Sequence, residues 1–528
     1  MREKLGSIAG SPEAKENGEK IRRPGRLLAL FKAVVLLALA ATTAYGMLNH
    51  GLYSEELWLP VADGVLALIF VTLFVRGYYQ DVPQAAWVMV ALLAVLVGVK
   101  GLSMAWTISE TETINEVLRS SMYLGVFLAA LAALTSRRQV GPLIDIAVLM
   151  ITAVAGYGLL QKINPVEYPI TSPDTVRIDS TLGYGNSVAV VLGMGMVLAL
   201  ARTTAMRNAL LRGLYAALML VFLVTLYLTF SRGGIGSLGV GLILLFVLTR
   251  NRLQMLANLL LLSIPGAWLL WRLQDLEGLL QAGVSQQQKL ADGAAFRTDL
   301  ILALAVAFIL QAGYAFLVNR YELTALMRRV LGTLVIVGAV VVAGAGAFTV
   351  VHGYGGIGQA YETLVSNPNQ TENAAQRLTS LSLGYREDYW KVGWEAWKEH
   401  PFTGTGAGTF QYVWLENRPV NQGVKQVHNL YLEQGTETGV FAFLALVGYS
   451  VRATWLSQGE RRLLLAGLAS ALVVYLVSSV LEWHWYIPGS TLIFFFLAAI
   501  TVKFASMDDW ETSKAEQASV SVESPPGG

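Results

Sequence analysis

The sequence predicts an all-α, polytopic helical membrane protein, and two observations support this. Hydrophobic residues make up 54% of the 528 residues and charged residues only 14%, whereas a soluble domain is usually about 25% charged. Apolar runs also recur along most of the chain, and each is about 20 residues long, which is enough to cross a hydrocarbon core. A soluble multidomain enzyme, a disordered chain and a coiled coil are therefore excluded.

Fourteen apolar segments predict about 14 transmembrane helices. About eleven of them fall in residues 27–350 and about three in residues 436–503. Residues 351–435 are predicted to form one long non-cytoplasmic loop that contains amphipathic helices. The polar ends, 1–26 and 504–528, are predicted to be disordered cytoplasmic tails, because they lack the apolar content of a span or a signal peptide. The predicted spans are 27–45, 57–75, 85–104, 117–135, 141–160, 186–201, 213–230, 234–249, 253–271, 299–318, 330–350, 436–452, 463–481 and 486–503.

The distribution of arginines predicts the orientation of these spans. With the N-terminus in the cytoplasm, every inside connection carries at least one arginine, as expected for cytoplasmic loops. Lys32 and Lys100 lie within predicted spans. The long loop and the 161–185 and 272–298 connections then lie outside, and both termini lie inside. The arginines of the inside connections are Arg76, Arg137, Arg138, Arg202, Arg207, Arg212, Arg250, Arg252, Arg320, Arg328, Arg329, Arg452, Arg461 and Arg462.

Composition limits the chemistry that the chain can support. The absence of cysteine excludes disulfides, thiolate catalysis and iron–sulfur clusters. The five histidines are not spaced as local metal pairs, so we expect neither a metal nor another cofactor. The net charge of +2 indicates no nucleic-acid partner. The histidines are His50, His352, His400, His428 and His484.

The long loop contains a predicted helix over residues 385–400. Three tryptophans share one face of it, at i, i+4 and i+7, and they are Trp390, Trp394 and Trp397. Tryptophan favours the membrane interface, so the helix is predicted to lie along the outer leaflet; the alternative is a face packed on other protein. The turn after Pro401 is rich in glycine and either presents backbone N–H groups to an anion or is a plain flexible turn. Its glycines are Gly404, Gly406 and Gly408.

Arg232 lies at the outer junction of two spans, in the segment TFSRGGIGSLGVG (229–241). The glycines that follow it allow helices to approach closely. An arginine at membrane depth points to a functional role with an anionic partner, and the alternative is an ion pair with an outer carboxylate such as Glu482 or Glu433. Arg386 opens the tryptophan-bearing helix, where the alternative role is a solvated surface residue.

His428 and Asn429 precede the next helix of the chain. Histidine readily exchanges a proton near neutral pH, although a lone loop histidine is ordinarily structural. Guanidinium groups match the oxygens of phosphate. Arg232, Arg386 and His428 at one membrane face therefore predict a site for a lipid-linked phosphate or pyrophosphate, with an isoprenoid tail among the helices.

Three motifs occur in an order that resembles the O-antigen ligase and O-antigen polymerase superfamily, over about residues 175–450. They are SRGG at 231–234, the stretch from Arg386 to HPFTGTGAGTF, and His428-Asn-x-Tyr-Leu followed by Glu437-x-Gly439. The segment RIDSTLGYGN (177–186) is similar to the outer-face element that precedes a span in this family. The family commonly has about twelve spans, against the fourteen predicted here.

This resemblance implies a metal-independent GT-C glycosyltransferase of the bacterial inner (plasma) membrane. Such enzymes move a glycan from undecaprenyl pyrophosphate to an acceptor hydroxyl of a glycan, lipid or protein at the outer face, and a single displacement would invert the anomeric carbon. By position, the resemblance assigns the pyrophosphate to Arg232 and Arg386, with Arg177 as a further contact, and makes His428 the catalytic base or acceptor-orienting group. Supporting roles fall to Asn429, Glu437 and Asn186.

Two other functions remain open at this point. A transporter usually carries ionisable groups at the midplane of broken helices in repeated halves, whereas these spans are poor in midplane charge and no internal repeat is evident. A non-catalytic scaffold of a polysaccharide-assembly complex would tolerate substitution of the arginines and of His428. Between ligase and polymerase the sequence does not decide.

Overall fold

The computed structural model describes residues 25–171, 176–249, 251–320, 382–457 and 463–522, together with isolated residues between 326 and 378. These parts of the chain are helical and contain no β-strand, which confirms the all-α prediction. The helices are α1 (Arg26–Leu48), α2 (Glu55–Phe74), α3 (Gln84–Leu102), α4 (Glu110–Ala133), α5 (Val140–Ile163), α6 (Gly185–Ala205), α7 (Ala209–Leu228), α8 (Arg232–Leu248), α9 (Arg252–Leu273), α10 (Glu277–Leu280), α11 (Gln286–Arg320), α12 (Arg386–Glu399), α13 (Phe410–Asn417), α14 (Leu430–Ser457), α15 (Leu463–Ser478) and α16 (Pro488–Val522).

Ten helices in the described part of the chain are long and apolar enough to cross a membrane, and α8 and α15 are shorter apolar helices. This agrees with the predicted polytopic membrane protein. The number of fourteen spans stays a prediction, because most of the span predicted at 330–350 lies outside the described residues. The span predicted at 299–318 is the C-terminal part of α11, whose 35 residues reach about 52 Å. Part of the predicted 272–298 connection is therefore helix.

α6 and α16 form the centre of the bundle. In the 18-residue apolar stretch of each helix, 89% of the residues of α6 and 83% of those of α16 are buried. The glycines of α8 allow it to approach its neighbours closely, as predicted. A Cβ atom at Gly234 would lie 2.4 Å from Ala189 of α6, and one at Gly241 would lie 2.4 Å from Val474 of α15. Only glycine fits at these two positions, so α8 packs directly against α6 and α15. This contact positions Arg232, the first residue of α8.

The two lysines within predicted spans are paired. Lys32 Nζ lies 3.0 Å from Asp81, and Lys100 Nζ lies 2.9 Å from Glu116. Both ammonium groups are buried. Pairing offsets much of the cost of removing these charges from water, which accounts for their tolerance in apolar helices.

The connections predicted to lie outside meet at one end of the bundle. Thr181 Oγ1 donates to Met47 O at 2.7 Å and joins the α5–α6 connection to the end of α1. Trp106 Nε1 donates to Thr403 O at 3.1 Å and joins the α3–α4 connection to the long loop. Leu430 N donates to Ser479 O at 2.9 Å and joins the start of α14 to the α15–α16 connection. All of these segments therefore belong to the same face of the protein.

Candidate active site

Three arginines from separate connections line one cavity at this end of the bundle. Arg177 precedes α6, Arg232 begins α8 and Arg386 begins α12, and the cavity has a volume of about 630 Å³. Residues that are up to 209 positions apart in the chain thus face a shared space, as the sequence predicted for Arg232 and Arg386. Among the described residues that line the cavity, the three arginines face a single carboxylate, that of Glu482.

Glu482 connects the polar groups of the cavity. Its Oε1 accepts hydrogen bonds from Arg386 Nη2 and from Asn186 Nδ2, the latter at 2.6 Å, and its Oε2 accepts one from Tyr184 Oη at 2.7 Å. The side chain is buried. Burial would raise the pKa of the carboxyl group, but Arg386 and then His428 outweigh it and hold that pKa below its usual range. Glu482 is therefore an ionised carboxylate that fixes Arg386.

The other two guanidinium groups donate to backbone oxygens, and that of Arg177 donates to Asn186 as well. Arg177 Nε donates to Thr229 O at 2.7 Å, and Arg177 Nη2 donates to Asn186 Oδ1 at 2.5 Å. Arg232 Nη2 donates to Ser382 O at 2.7 Å. The sequence offered Glu482 as an ion-pair partner for Arg232, but the ion pair that Glu482 makes is with Arg386. Fixing the donors in advance lowers the reorganisation needed when an anion binds.

His428, which the sequence grouped with Arg232 and Arg386, is not among the described residues that line the cavity, but it lies next to Glu482, which lines it. Its Nδ1 is 3.8 Å from Glu482 Oε2, and its ring packs against Tyr389 and Trp483 with centroids 5.4 and 6.0 Å away. Burial lowers the pKa of His428, and Glu482 opposes that shift only in part. The imidazole is therefore neutral near pH 7. A carboxylate facing Nδ1 favours the tautomer that leaves Nε2 free to accept a proton.

Two asparagines named from the sequence hold this arrangement. Asn429 Oδ1 accepts from the backbone N–H groups of Tyr431 and Leu432, both at 3.1 Å, so it caps the start of α14. Asn186 bridges Arg177 and Glu482. Asn429 thus fixes the chain next to His428, and Asn186 fixes two charged groups of the cavity.

Glu437 anchors the long loop. Its buried Oε1 accepts from Phe410 N at 3.3 Å, and its backbone oxygen accepts from Gly406 N at 2.7 Å. Gly404 has φ +65°, and a Cβ there would lie 2.2 Å from the Glu437 carbonyl carbon. The N–H groups of the turn thus bind protein atoms, so the turn is neither of the predicted alternatives. It is an ordered clamp between the loop and α14.

The predicted loop helix is present as α12. Its buried residues are Tyr389, Gly393 and Ala396. Each of them directly precedes one of the three tryptophans in the sequence. Trp390 Nε1 donates to His428 O at 3.4 Å, whereas Trp394 is 50% exposed. The tryptophan face is thus divided: Trp390 packs on protein beside the site, and Trp394 points away from it.

Sequence reasoning missed three groups near the cavity: Tyr184, His484 and the structural role of Glu482. His484 is buried, with Nδ1 2.9 Å from Ser187 Oγ and Nε2 2.8 Å from Ser478 Oγ. Burial lowers the pKa of His484 to about 4, so it is a neutral link between α6 and α15. The signal that could have found Glu482 and His484 is the segment LEWHWY (481–486), which places charged and aromatic residues between two apolar spans.

Within the described ranges, no group of three or more histidine and acidic side chains is arranged to hold a metal ion. The cavity instead offers forked cationic donors, a fixed carboxylate and a nearby neutral imidazole. Such a set can bind a di-anionic phosphate group and accept a proton beside it.

Comparison with protein families bears on this geometry. Residues 297–447 match the family model Wzy_C, described as O-antigen ligase. The match confirms the resemblance that the sequence motifs indicated, and it supports a membrane glycan ligase or polymerase in general terms. Arg386, His428 and Glu437 lie inside the matched segment, which spans less than a third of the chain; Arg177 and Arg232 lie before it. No curated protein matches the chain.

Proposed function

We propose that this protein is a glycosyltransferase of the bacterial inner membrane that moves a glycan from undecaprenyl pyrophosphate to an acceptor hydroxyl at the outer face. The observation that carries the proposal is the single cavity lined by Arg177, Arg232 and Arg386. These three guanidinium groups come from distant parts of the chain and line one cavity. Their shared chemistry is the binding of phosphate oxygens.

The shape of the cavity supports a lipid-linked donor. Below the arginines its wall continues along α8 through Gly236 and Val240, and along α15 through Val477. These residues belong to apolar helices, and Val240 is 42% exposed on the bundle surface. An isoprenoid tail would lie along this apolar wall while its diphosphate headgroup contacts the arginines above.

The chemistry follows from these groups. The acceptor oxygen forms a bond to the anomeric carbon while the bond from that carbon to the phosphate oxygen breaks, and the proton of the acceptor hydroxyl passes to His428 Nε2. The bonding pair leaves with undecaprenyl pyrophosphate. The negative charge that develops on the departing oxygen is stabilised by Arg232 and Arg386, which are already oriented. A base in this position contributes about 10²–10⁴-fold to the rate, and one displacement inverts the anomeric centre.

The test is glycan transfer by the purified full-length chain in lipid nanodiscs, with an undecaprenyl-pyrophosphate-linked oligosaccharide as donor. Arg232→Ala and His428→Asn should each reduce transfer by at least about 100-fold. Asparagine is chosen because His428 has φ +58°, a region that asparagine tolerates better than alanine. His50→Asn is the matched control, since His50 is exposed and has φ +47°; Arg138→Ala is the control for the arginine.

Normal transfer by both Arg232→Ala and His428→Asn would overturn the proposal. Solute uptake by proteoliposomes that lack lipid-linked sugar would favour a transporter instead. Retained polysaccharide assembly in cells that carry both substitutions would favour a scaffold.

A further inference from the structure

A second cavity opens on the same face of the protein, and the proposed chemistry does not use it. Its volume is about 940 Å³, within the range of sites that bind small ligands. It is lined by residues of α12, of α13 and of the segment between them, and by Trp106 from the α3–α4 connection. We call this cavity the α12–α13 groove.

The groove contains a fixed aromatic surface. Trp106 is 41% exposed, and its Nε1 donates to Thr403 O at 3.1 Å. The hydrogen bond restrains the edge of the indole and leaves part of the ring accessible. The face of an indole is apolar and electron-rich, so it suits the weakly positive C–H face of a sugar ring.

The polar lining of the groove is acidic. Among its described lining residues, four carboxylates stand against one ammonium group, that of Lys391. Lys391 also pairs with Glu387, and one of the four carboxylates, Glu395, pairs with Lys398, both at 2.6 Å. The described lining of the donor cavity has the opposite balance, with three guanidinium groups and one carboxylate. Carboxylates accept hydrogen bonds from sugar hydroxyl and amino groups and repel phosphate and carboxylate groups. The four acidic residues of the groove are Asp388, Glu395, Glu399 and Glu416.

The groove lies beside the proposed reaction centre. Asp388 lines it and is two residues from Arg386, which lines the donor cavity. Tyr389, the next residue, packs its ring 5.4 Å from that of His428. Since α12 has 14 residues, a chain of sugars along it could extend about 21 Å with one end close to His428.

We propose that the α12–α13 groove binds the acceptor, and that the acceptor is an oligosaccharide whose sugars carry no phosphate or carboxylate groups. This inference rests on the proposed function and adds to it the chemical class of the acceptor. The opposite charges of the two cavities separate the substrates: the anionic donor headgroup is attracted to the arginines and repelled from the groove.

The experiment measures binding of three tetrasaccharides of equal length to the full chain in nanodiscs by isothermal titration calorimetry. They are the tetramers of N-acetylglucosamine, which is uncharged, of glucosamine, which is cationic, and of galacturonic acid, which is anionic. The uncharged and cationic tetramers should bind, and the anionic one should bind at least tenfold more weakly. Equal binding of the anionic tetramer overturns the inference.

Variants of the groove test its location. Trp106→Ala should weaken binding of the uncharged tetramer at least tenfold, while Trp271→Ala, which removes an exposed tryptophan of α9, should leave it unchanged. The double variant Glu399→Lys/Glu416→Lys should bind the anionic tetramer more tightly than the wild type does, whereas Glu277→Lys, at an exposed residue outside the groove, should not. Unchanged binding in both groove variants also overturns the inference.

The outcome for the groove is separable from that for the proposed function. If Arg232→Ala abolishes transfer but the groove variants keep the wild-type acceptor KM, the groove is not the acceptor site and the glycosyltransferase proposal stands. If the groove variants lose acceptor binding but Arg232→Ala and His428→Asn transfer normally, the groove binds sugar and the proposed catalytic site is wrong.

Discussion

Glu482→Gln separates the proposed catalytic role of the carboxylate from its structural role. Glutamine has nearly the same shape, and its Oε1 can still accept from Arg386 and Asn186, as the carboxylate does now. Its Nε2 would then face the Tyr184 hydroxyl, which can rotate to accept. The same Nε2 would also face His428 Nδ1, which lies 3.8 Å from the present oxygen. An amide there favours the histidine tautomer that carries its proton on Nε2.

The expected effects on stability and on rate differ in size. The buried ion pair between Arg386 and Glu482 becomes a hydrogen bond from a guanidinium group that has lost its counter-charge, and breaking such a pair costs about 3–5 kcal/mol of unfolding free energy. The wrong tautomer removes the proton acceptor, and a comparable carboxylate-to-amide change beside a catalytic histidine in serine proteases lowers kcat by about 10⁴-fold. At the longer distance here we expect kcat to fall by about 10²–10⁴-fold.

The assay combines the transfer rate at saturating donor with thermal unfolding of the same nanodisc preparation. Tyr184→Phe is the matched control, because it removes another hydrogen bond to the same carboxylate, 2.7 Å long, and leaves the charge and the tautomer intact. It should cost about 1 kcal/mol of unfolding free energy and change kcat by only a few-fold. A normal kcat for Glu482→Gln would refute the proposed link between Glu482 and His428.

Three further predictions address other parts of the site. Burial lowers the pKa of His428 below its ordinary 6.5, so the neutral base form persists on acidification. The midpoint of the acid limb of the kcat/KM profile should therefore lie below pH 6.5, and a midpoint above that value would count against His428 as the base. Arg386→Lys keeps the charge but loses the forked donors, and kcat/KM for the donor should fall about 10–100-fold, in line with a lost charge-assisted bond, while Arg138→Lys should be neutral; equal kinetics for the two variants would contradict this. Gly404→Ala should lower the unfolding free energy by about 1–3 kcal/mol, because alanine is strained at φ +65° and its Cβ would overlap Glu437. Gly423→Ala should not lower it, because the space around Gly423 is open. Equal melting temperatures for the two variants would show that the clamp is not required.

Much of the fold is predictable from the sequence, because a helix in a membrane must make all of its backbone hydrogen bonds internally. Apolar runs therefore indicate helices directly: the predicted span 27–45 falls within α1, and the predicted span 57–75 agrees with α2 to within two residues at each end. The arginine alternation also predicted that Arg232, Arg386 and His428 share one face. Hydrophobicity alone does not mark where a helix ends, so the extension of α11 beyond the predicted span was missed.

The site was predictable only in part, because side-chain partners depend on contacts between distant segments. Arg177 and Arg386 carry motif signals, but nothing local indicates that Glu482 pairs with Arg386 rather than Arg232. The glycines at 404 and 406 suggested an anion site or a flexible turn, and only the packed loop reveals that Gly404 N donates to His400 O and Gly406 N to Glu437 O. Patterns within one segment identify polar groups, whereas the choice among partners is decided by packing.

The most direct test of the account is an experimental structure of the protein in a lipid nanodisc with undecaprenyl pyrophosphate bound. The diphosphate should lie in the 630 Å³ cavity, within hydrogen-bond distance of the Arg232 and Arg386 guanidinium groups, with its tail along α8 and α15. A diphosphate bound elsewhere, with Arg232 and Arg386 more than one water layer from it, would contradict the account.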